Sequence, residues 1–162
     1  MSAAPPVLWI PGKMPNLNDI ITAKLHVFVP PALRSRPFMP AKLPNAYNDL
    51  KKRWHGIIDR LCTEQSFDCP PCGYFNFLCV EENTRRDKDG VGAGAQKIIQ
   101  DALVARSSLY NDGWKVVLDY RHFFHVDQKN GVYLVITEDD CMTKAQAHLF
   151  FTKMSAQTSL AV

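Results

Sequence analysis

The stretch GYFNFLCVEENTRRDKDGVGAGAQKIIQDALV, residues 73–104, decides the fold. Residues 73–82 are rich in aromatic and β-branched side chains over the length of one strand, which predicts a strand. The charged run 85–90 is typical of a loop. In residues 93–104 apolar side chains recur at three- and four-residue steps, which predicts an amphipathic helix. The centre of the chain is therefore expected to form a strand, a loop and a helix.

Further elements flank this unit on both sides. Strands are predicted for PVLWIPG, WKVVLDYRHFF and GVYLVIT, and helices for NLNDIITAKL, with Asn16 or Asn18 as its N-cap, and for residues 45–62. Asn-Gly in VDQKNG predicts that the last two strands form a hairpin. The proline-rich segment 30–44 predicts an extended loop. We expect an α/β (α+β) fold, with a small mixed sheet of about four strands and helices packed on it in a single domain.

Length and charge restrict the class of protein. The 162 residues fit one domain, divided here into 1–138 and a C-terminal extension, 139–162, with one possible helix and a frayed end. A net charge of +3 is mild, so any nucleic-acid surface must be local. No apolar run approaches the roughly 18 residues that span a bilayer, and the N-terminus lacks the features of a signal peptide. These features favour a cytoplasmic protein that does not enter a membrane.

The five cysteines include a Cys-Pro-Pro-Cys motif at Cys69 and Cys72. An odd number of cysteines argues against a secreted disulfide framework and fits a reducing compartment. The motif lacks an evident second ligand pair for zinc and the helical setting of a thiol-exchange site. The pattern therefore favours structural cysteines over a zinc clip or redox chemistry.

Acidic residues follow the central strand. Asp87 and Asp89 lie in the predicted loop, and Asp112 precedes the next strand. If that strand pairs beside the first, the three carboxylates meet at one end of the sheet and offer the oxygen ligands that magnesium prefers. A solvated turn is the alternative, since Asp is common in turns. GVGAGAQK matches neither a P-loop nor the dinucleotide fingerprint, so we expect no nucleotide cofactor and assign its glycines to loosening the turn and capping the helix.

The combination of RRDKDG, QKIIQDAL and LYNDGWKVV resembles the RusA family of Holliday junction resolvases, as do IPGKMPNLND and AYNDLKKRW upstream. The resemblance covers about residues 7–137. It implies a homodimeric endonuclease that uses Mg²⁺, with Mn²⁺ as a plausible substitute, to resolve four-way junctions or branched DNA in recombination and repair. It also implies that Asp87, Asp89 and Asp112 bind the metal, with Asp101 as a possible fourth acid and Lys97 near the scissile phosphate. Gly90 stands where the family has asparagine, and Lys97 comes later than in its best-known members.

Basic residues are concentrated ahead of the acids. Residues 24–53 contain seven lysines and arginines against one acid, Asp49. Such a surplus can neutralise phosphates without reading base sequence. A solvated basic helix and loop is the alternative. The candidate DNA-binding residues are Arg34, Arg36, Lys51, Lys52, Arg53, Arg85 and Arg86, of which the last two can instead keep the neighbouring carboxylates ionised.

Two other functions stay open from the sequence. One is a non-catalytic module with a nuclease-like fold that binds branched DNA, in which Gly90 and the delayed lysine mark lost chemistry. The other is a zinc-stabilised interaction protein built around Cys69 and Cys72.

Overall fold

A computed structural model of the protein describes residues 4–25 and 46–160. These residues form a four-stranded mixed sheet with helices on it, which confirms the predicted fold class. The predicted loop 30–44 lies outside the described residues. In chain order the elements are β1 (Val7–Pro11), α1 (Leu17–Leu25), α2 (Ala46–Glu64), β2 (Gly73–Glu81), α3 (Lys88–Ala105), β3 (Val117–Val126), β4 (Gly131–Thr137) and α4 (Lys144–Leu160).

The sheet has the strand order β1-β4-β2-β3, so β2 is a central strand. It is parallel to β3, with Phe77 opposite His122, and antiparallel to β4, with Phe77 opposite Leu134. A strand with neighbours on both sides and helices on both faces is expected to be mostly apolar, which explains the aromatic and β-branched composition of residues 73–82.

The predicted hairpin between the last two strands is wrong, because β2 lies between them. Their connection passes over the end of β2, where the Asp127 amide donates to the Glu81 carbonyl at 3.0 Å. Asn130 then accepts a hydrogen bond from the Glu82 amide through Oδ1, at 2.9 Å. Gly131 allows the Trp9 ring to approach its backbone, since a Cβ there would overlap the indole. The Asn-Gly pair therefore holds the β3–β4 connection over the end of β2 and lets the Trp9 ring pack against the backbone of residue 131.

Apolar side chains form a core on each face of the sheet. Helices α1, α2 and α3 cover one face, and the larger core includes Phe75, Phe77 and Ile98. Helix α4 covers the other face through Ala147 and Phe151. It runs to Leu160, through the small polar residues that the sequence suggested would fray. The segment after residue 138 therefore contributes side chains to one of the two cores.

A buried asparagine connects the sheet to the segment before α4. Asn76 of β2 is fully buried. Its Nδ2 donates to the Val135 carbonyl at 2.9 Å and to Thr137 Oγ1 at 3.1 Å. Its Oδ1 accepts from the Met142 amide at 2.7 Å. A buried amide satisfied at both ends holds the entry to α4 against the central strand.

The glycine run lies inside α3 and neither loosens the preceding turn nor caps the helix, contrary to the sequence interpretation. The helix already begins at Lys88, and both Gly92 and Gly94 are buried. A Cβ on Gly94 would meet the Pro15 carbonyl oxygen and would stand 2.6 Å from Asn16 Cα. A Cβ on Gly92 would stand 2.7 Å from His122 Nδ1. The glycines therefore let α3 pack closely against α1's leading segment and β3.

We expect Gly94→Ala to lower the free energy of unfolding by about 1–3 kcal/mol, because the added methyl group has no space. Gly56→Ala is the matched control, since nothing lies within 4 Å of a Cβ at that helical position. It should be neutral or raise stability by up to about 1 kcal/mol. Urea unfolding measures both. Equal stability of the two variants would contradict the packing role of Gly94.

Candidate functional site

The two acids after β2 lie at the start of α3. Asp87 is its N-cap, and its Oδ2 accepts a hydrogen bond from the Gly90 amide at 2.9 Å. A Cβ on residue 90 would stand 2.9 Å from Asp87 Oδ1, so glycine there leaves room for the capping carboxylate. Asp89 lies in the first turn, and both aspartates are exposed. Their charges also complement the positive end of the helix dipole.

Arg86 binds within the protein. Its Nε and Nη2 donate to the two carboxylate oxygens of Glu81 at 2.6 and 2.9 Å, and its Nη1 donates to the Met14 carbonyl at 2.6 Å. The side chains of Arg86 and Glu81 are only 13% and 15% exposed. This bidentate salt bridge to Glu81, together with the hydrogen bond to Met14, fixes the end of β2 to the segment after β1. Arg85, in contrast, is exposed.

A polar groove runs between α3 and β3. His122 of β3 pairs with Gln96 of α3 at 2.7 Å, from Nε2 to Oε1. Burial lowers the pKa of His122, and the negative charge of Asp89 partly opposes this. Sequence reasoning did not select either residue of the pair. The available signal was the Gln96 position, which follows Asp89 by seven residues and so lies on the same side of a helix.

The structure does not bring Asp112 together with Asp87 and Asp89. The strand after Asp112 does pair beside β2, but it is parallel to β2. The start of β3 and the end of β2 therefore lie at opposite ends of the strands. Asp112 lines a cavity with Gln96 and Gln100, near the middle of α3. Among residues 4–25 and 46–160, no three His, Cys, Asp or Glu side chains form a metal-binding group.

Lys97 and Asp101 form an ion pair on α3, with Nζ 3.1 Å from Oδ2. The hydrogen bond to Asp101 is the main cause of a raised pKa for Lys97, and the charge of Asp112 adds to it. Lys97 follows Asp89 by eight residues, which is about 12 Å along the helix axis. It therefore belongs with Asp101 and Asp112 and not with the acids at the start of the helix.

A basic surface, formed by Lys24, Lys51, Lys52 and Arg53, lies beside the group of Lys97, Asp101 and Asp112. Lys24 and Lys51 lie over the Tyr47 ring, with Nζ 4.8 and 5.5 Å from its centroid. Lys52 and Arg53 are exposed on α2, whereas Arg34 and Arg36 are outside the described residues. The two helices approach here: burial lowers the pKa of His55 on α2, Lys51 lowers it further, and Asp101 on α3 opposes this.

The cysteines lie apart from the groove. Cys69 is partly buried and Cys72 is exposed, and all five cysteines are free. Burial, helped by the nearby Cys62 thiol, raises the pKa of Cys69 to about 12. A thiol with such a pKa is a poor nucleophile, because the reactive form is the thiolate. In the part of the chain that is described, no helix is long and apolar enough to cross a membrane.

No protein-family model and no curated protein matches this chain. The resemblance to RusA proteins therefore rests on the motifs quoted above.

Asp89→Asn should lower the pKa of His122 further, because it removes the charge that raises it. Asp119→Asn, also near the groove but not a cause of this shift, should leave it unchanged. NMR titration of the histidine ring measures the pKa in both variants.

A pKa of His122 below 6.5 also means that the unfolded chain binds more protons than the folded chain near that pH. The stability contributed by neutral His122 is therefore present above pH 6.5 and is lost as the pH falls.

Proposed function

We propose that the protein is a magnesium-dependent, structure-specific endonuclease that cuts four-way or otherwise branched DNA in recombination and repair. The observation that carries the proposal is the exposed pair Asp87 and Asp89, placed where the central strand ends and α3 begins. The space just beyond the carboxyl end of a parallel strand is a common position for ligands that carry phosphate. The motifs shared with RusA proteins support the same function.

The donor chemistry of this pair fits magnesium. Proteins often hold Mg²⁺ through one or two carboxylates, with the remaining positions taken by water and substrate phosphate. Asp87 Oδ2 is engaged by the Gly90 amide, which leaves Oδ1 and the Asp89 carboxylate as ligands. Asp112 does not lie with them, so we propose Asp87 and Asp89 as the ligand pair, with Mn²⁺ as a substitute. The bound ion would stabilise negative charge on the phosphodiester and lower the pKa of a bound water.

The basic surface would supply affinity for the DNA backbone. Lys24, Lys51, Lys52 and Arg53 lie on α1 and α2, beside the α3 group of Lys97, Asp101 and Asp112. Arg85 adds an exposed cation beside Asp87, while Arg86 orients the same loop through Glu81. Contacts of this kind bind phosphates irrespective of base sequence.

A homodimer completes the proposal. A four-way junction has two-fold symmetry, and two symmetric cuts require two equivalent sites. Each chain supplies one Asp87–Asp89 pair, so two copies related by a two-fold axis would provide both.

The second candidate is a module that binds branched DNA without cutting it. Two observations favour it. The Asp87 carboxylate already serves as a helix cap. Asp112 lies by Gln96 and Gln100, beside the middle of α3, and so is separated from the first two acids. The basic surface would serve this function equally well.

We expect wild-type protein with Mg²⁺ to nick a labelled, immobile four-way junction symmetrically, and Asp89→Asn to do so about 100-fold more slowly or worse. Losing one group that stabilises transition-state charge costs a factor of that order. Junction binding in EDTA should persist in the variant. Asp139→Asn, which removes an exposed carboxylate after β4, is the control and should cut normally. Tight binding by wild type without cleavage in any divalent metal would establish the non-catalytic module.

Neutralising a basic residue should change the salt dependence of binding. Lys52→Ala should weaken binding to all DNA sequences alike and reduce the slope of log affinity against log salt by about 0.9, for one lost phosphate contact. Lys153→Ala on α4 removes an exposed lysine from the opposite face and should leave the slope unchanged. Fluorescence anisotropy at several salt concentrations measures both. Equal slopes for the two variants would place the DNA elsewhere.

A further inference from the structure

A cavity of about 400 Å³ lies between α3 and the start of β3. Its lining comprises Gln96, Gln100, Asp112, Gly113, Trp114 and residues 117–120. Gln100 is only 7% exposed. Within residues 4–25 and 46–160, its buried Nε2 has no hydrogen-bond partner. A buried amide donor without a partner is unfavourable, so this nitrogen is available to an acceptor atom of a ligand.

Exposed aromatic rings stand at the mouth of this cavity. Trp114 is 96% exposed and Tyr120 is 48% exposed. An indole almost wholly in water contributes nothing to the core, and its flat apolar face is available for stacking. Aromatic side chains of this kind bind single-stranded nucleic acid by stacking on its bases.

The charges that line the cavity disfavour a phosphate as its occupant. Asp112 and Asp119 both line it, and two carboxylates repel an anion. Carboxylates instead accept hydrogen bonds from the amino groups of neutral bases, and a glutamine amide can donate to a ring nitrogen or carbonyl. Gln96 is held in place by His122, so its amide is already oriented. The polar groups therefore match a neutral heterocycle with both donors and acceptors.

We propose that this cavity binds one unpaired nucleobase of the branched DNA, an assignment that rests on the proposed function. The base stacks on Trp114, accepts a hydrogen bond from Gln100 and donates one to Asp112. Gln100 follows Asp89 by eleven residues, about 16 Å along α3, so the base lies a few nucleotides from the phosphate held at Asp87 and Asp89. Branch points expose unstacked bases that a continuous duplex does not, and the cavity would select them.

The test uses a four-way junction that carries one unpaired 2-aminopurine at the branch point, titrated in EDTA so that cutting plays no part. The comparison probe has its 2-aminopurine paired within an arm. Wild-type protein should change the fluorescence of the first probe only. Trp114→Ala should abolish that change, and Gln100→Leu should weaken binding of the first probe about 5- to 150-fold, the value of one good polar contact to a base. Tyr110→Ala is the matched control, because Tyr110 is 91% exposed but does not line the cavity.

Each outcome decides for or against the base-binding cavity. A fluorescence change lost in Trp114→Ala and retained in Tyr110→Ala supports it, even if Gln100→Leu is too unstable to purify. No change with wild type, or equal behaviour of the two aromatic variants, overturns it. Cleavage in magnesium is scored separately. Normal cutting together with an unchanged probe would reject only the cavity, whereas a specific fluorescence change without cutting would reject only the nuclease.

Discussion

Helix α3 lies directly against the backbone ahead of α1 and against the side of β3, because Gly94 and Gly92 have no side chains there. This close approach sets the positions of the other functional groups. Gln96 can reach His122 only because Gly92, one turn earlier, lets the histidine ring lie against the helix. The same packing narrows the space between α3 and β3 to a groove, and the charged residues of α3 that point away from it, Lys97 and Asp101, face α2.

The central strand determines which groups can meet. Since β3 is parallel to β2, the chain must return along α3 to the end of the sheet where β2 began before β3 can start. Groups that follow β2 and groups that precede β3 are thereby separated by much of the length of the helix. The acidic residues divide accordingly, with Asp87 and Asp89 at one end and Asp112 beside the middle of α3. His122 and Gln96 link the two groups, since the charge of Asp89 acts on His122 and Gln96 lines the cavity that contains Asp112.

Much of the fold followed from local pattern. The strand composition of residues 73–82 and the apolar spacing of α2 and α3 identified elements that the structure contains, and Asn16 caps α1 by accepting from the Asp19 amide at 2.8 Å. Strand order did not follow, because Asn-Gly reports only a local turn preference while the pairing partner is chosen by the whole sheet. The same limit applied at the site. The partner of Arg86, the His122–Gln96 pair and the unsatisfied amide of Gln100 depend on residues distant in sequence.

The order of synthesis gives the Asn76 network a further consequence. Among residues 4–25 and 46–160, strand β1 pairs only with β4, and the amide of Asn76 in β2 is satisfied by Val135, Thr137 and Met142. All of these partners leave the ribosome after β1 and β2 have been made. Until they emerge, β1 has no neighbour in the sheet and one face of β2 has no cover, although α3 can already pack on the other face. The growing chain therefore exposes an unpaired strand and an apolar surface until β4 and the segment that follows it have been made.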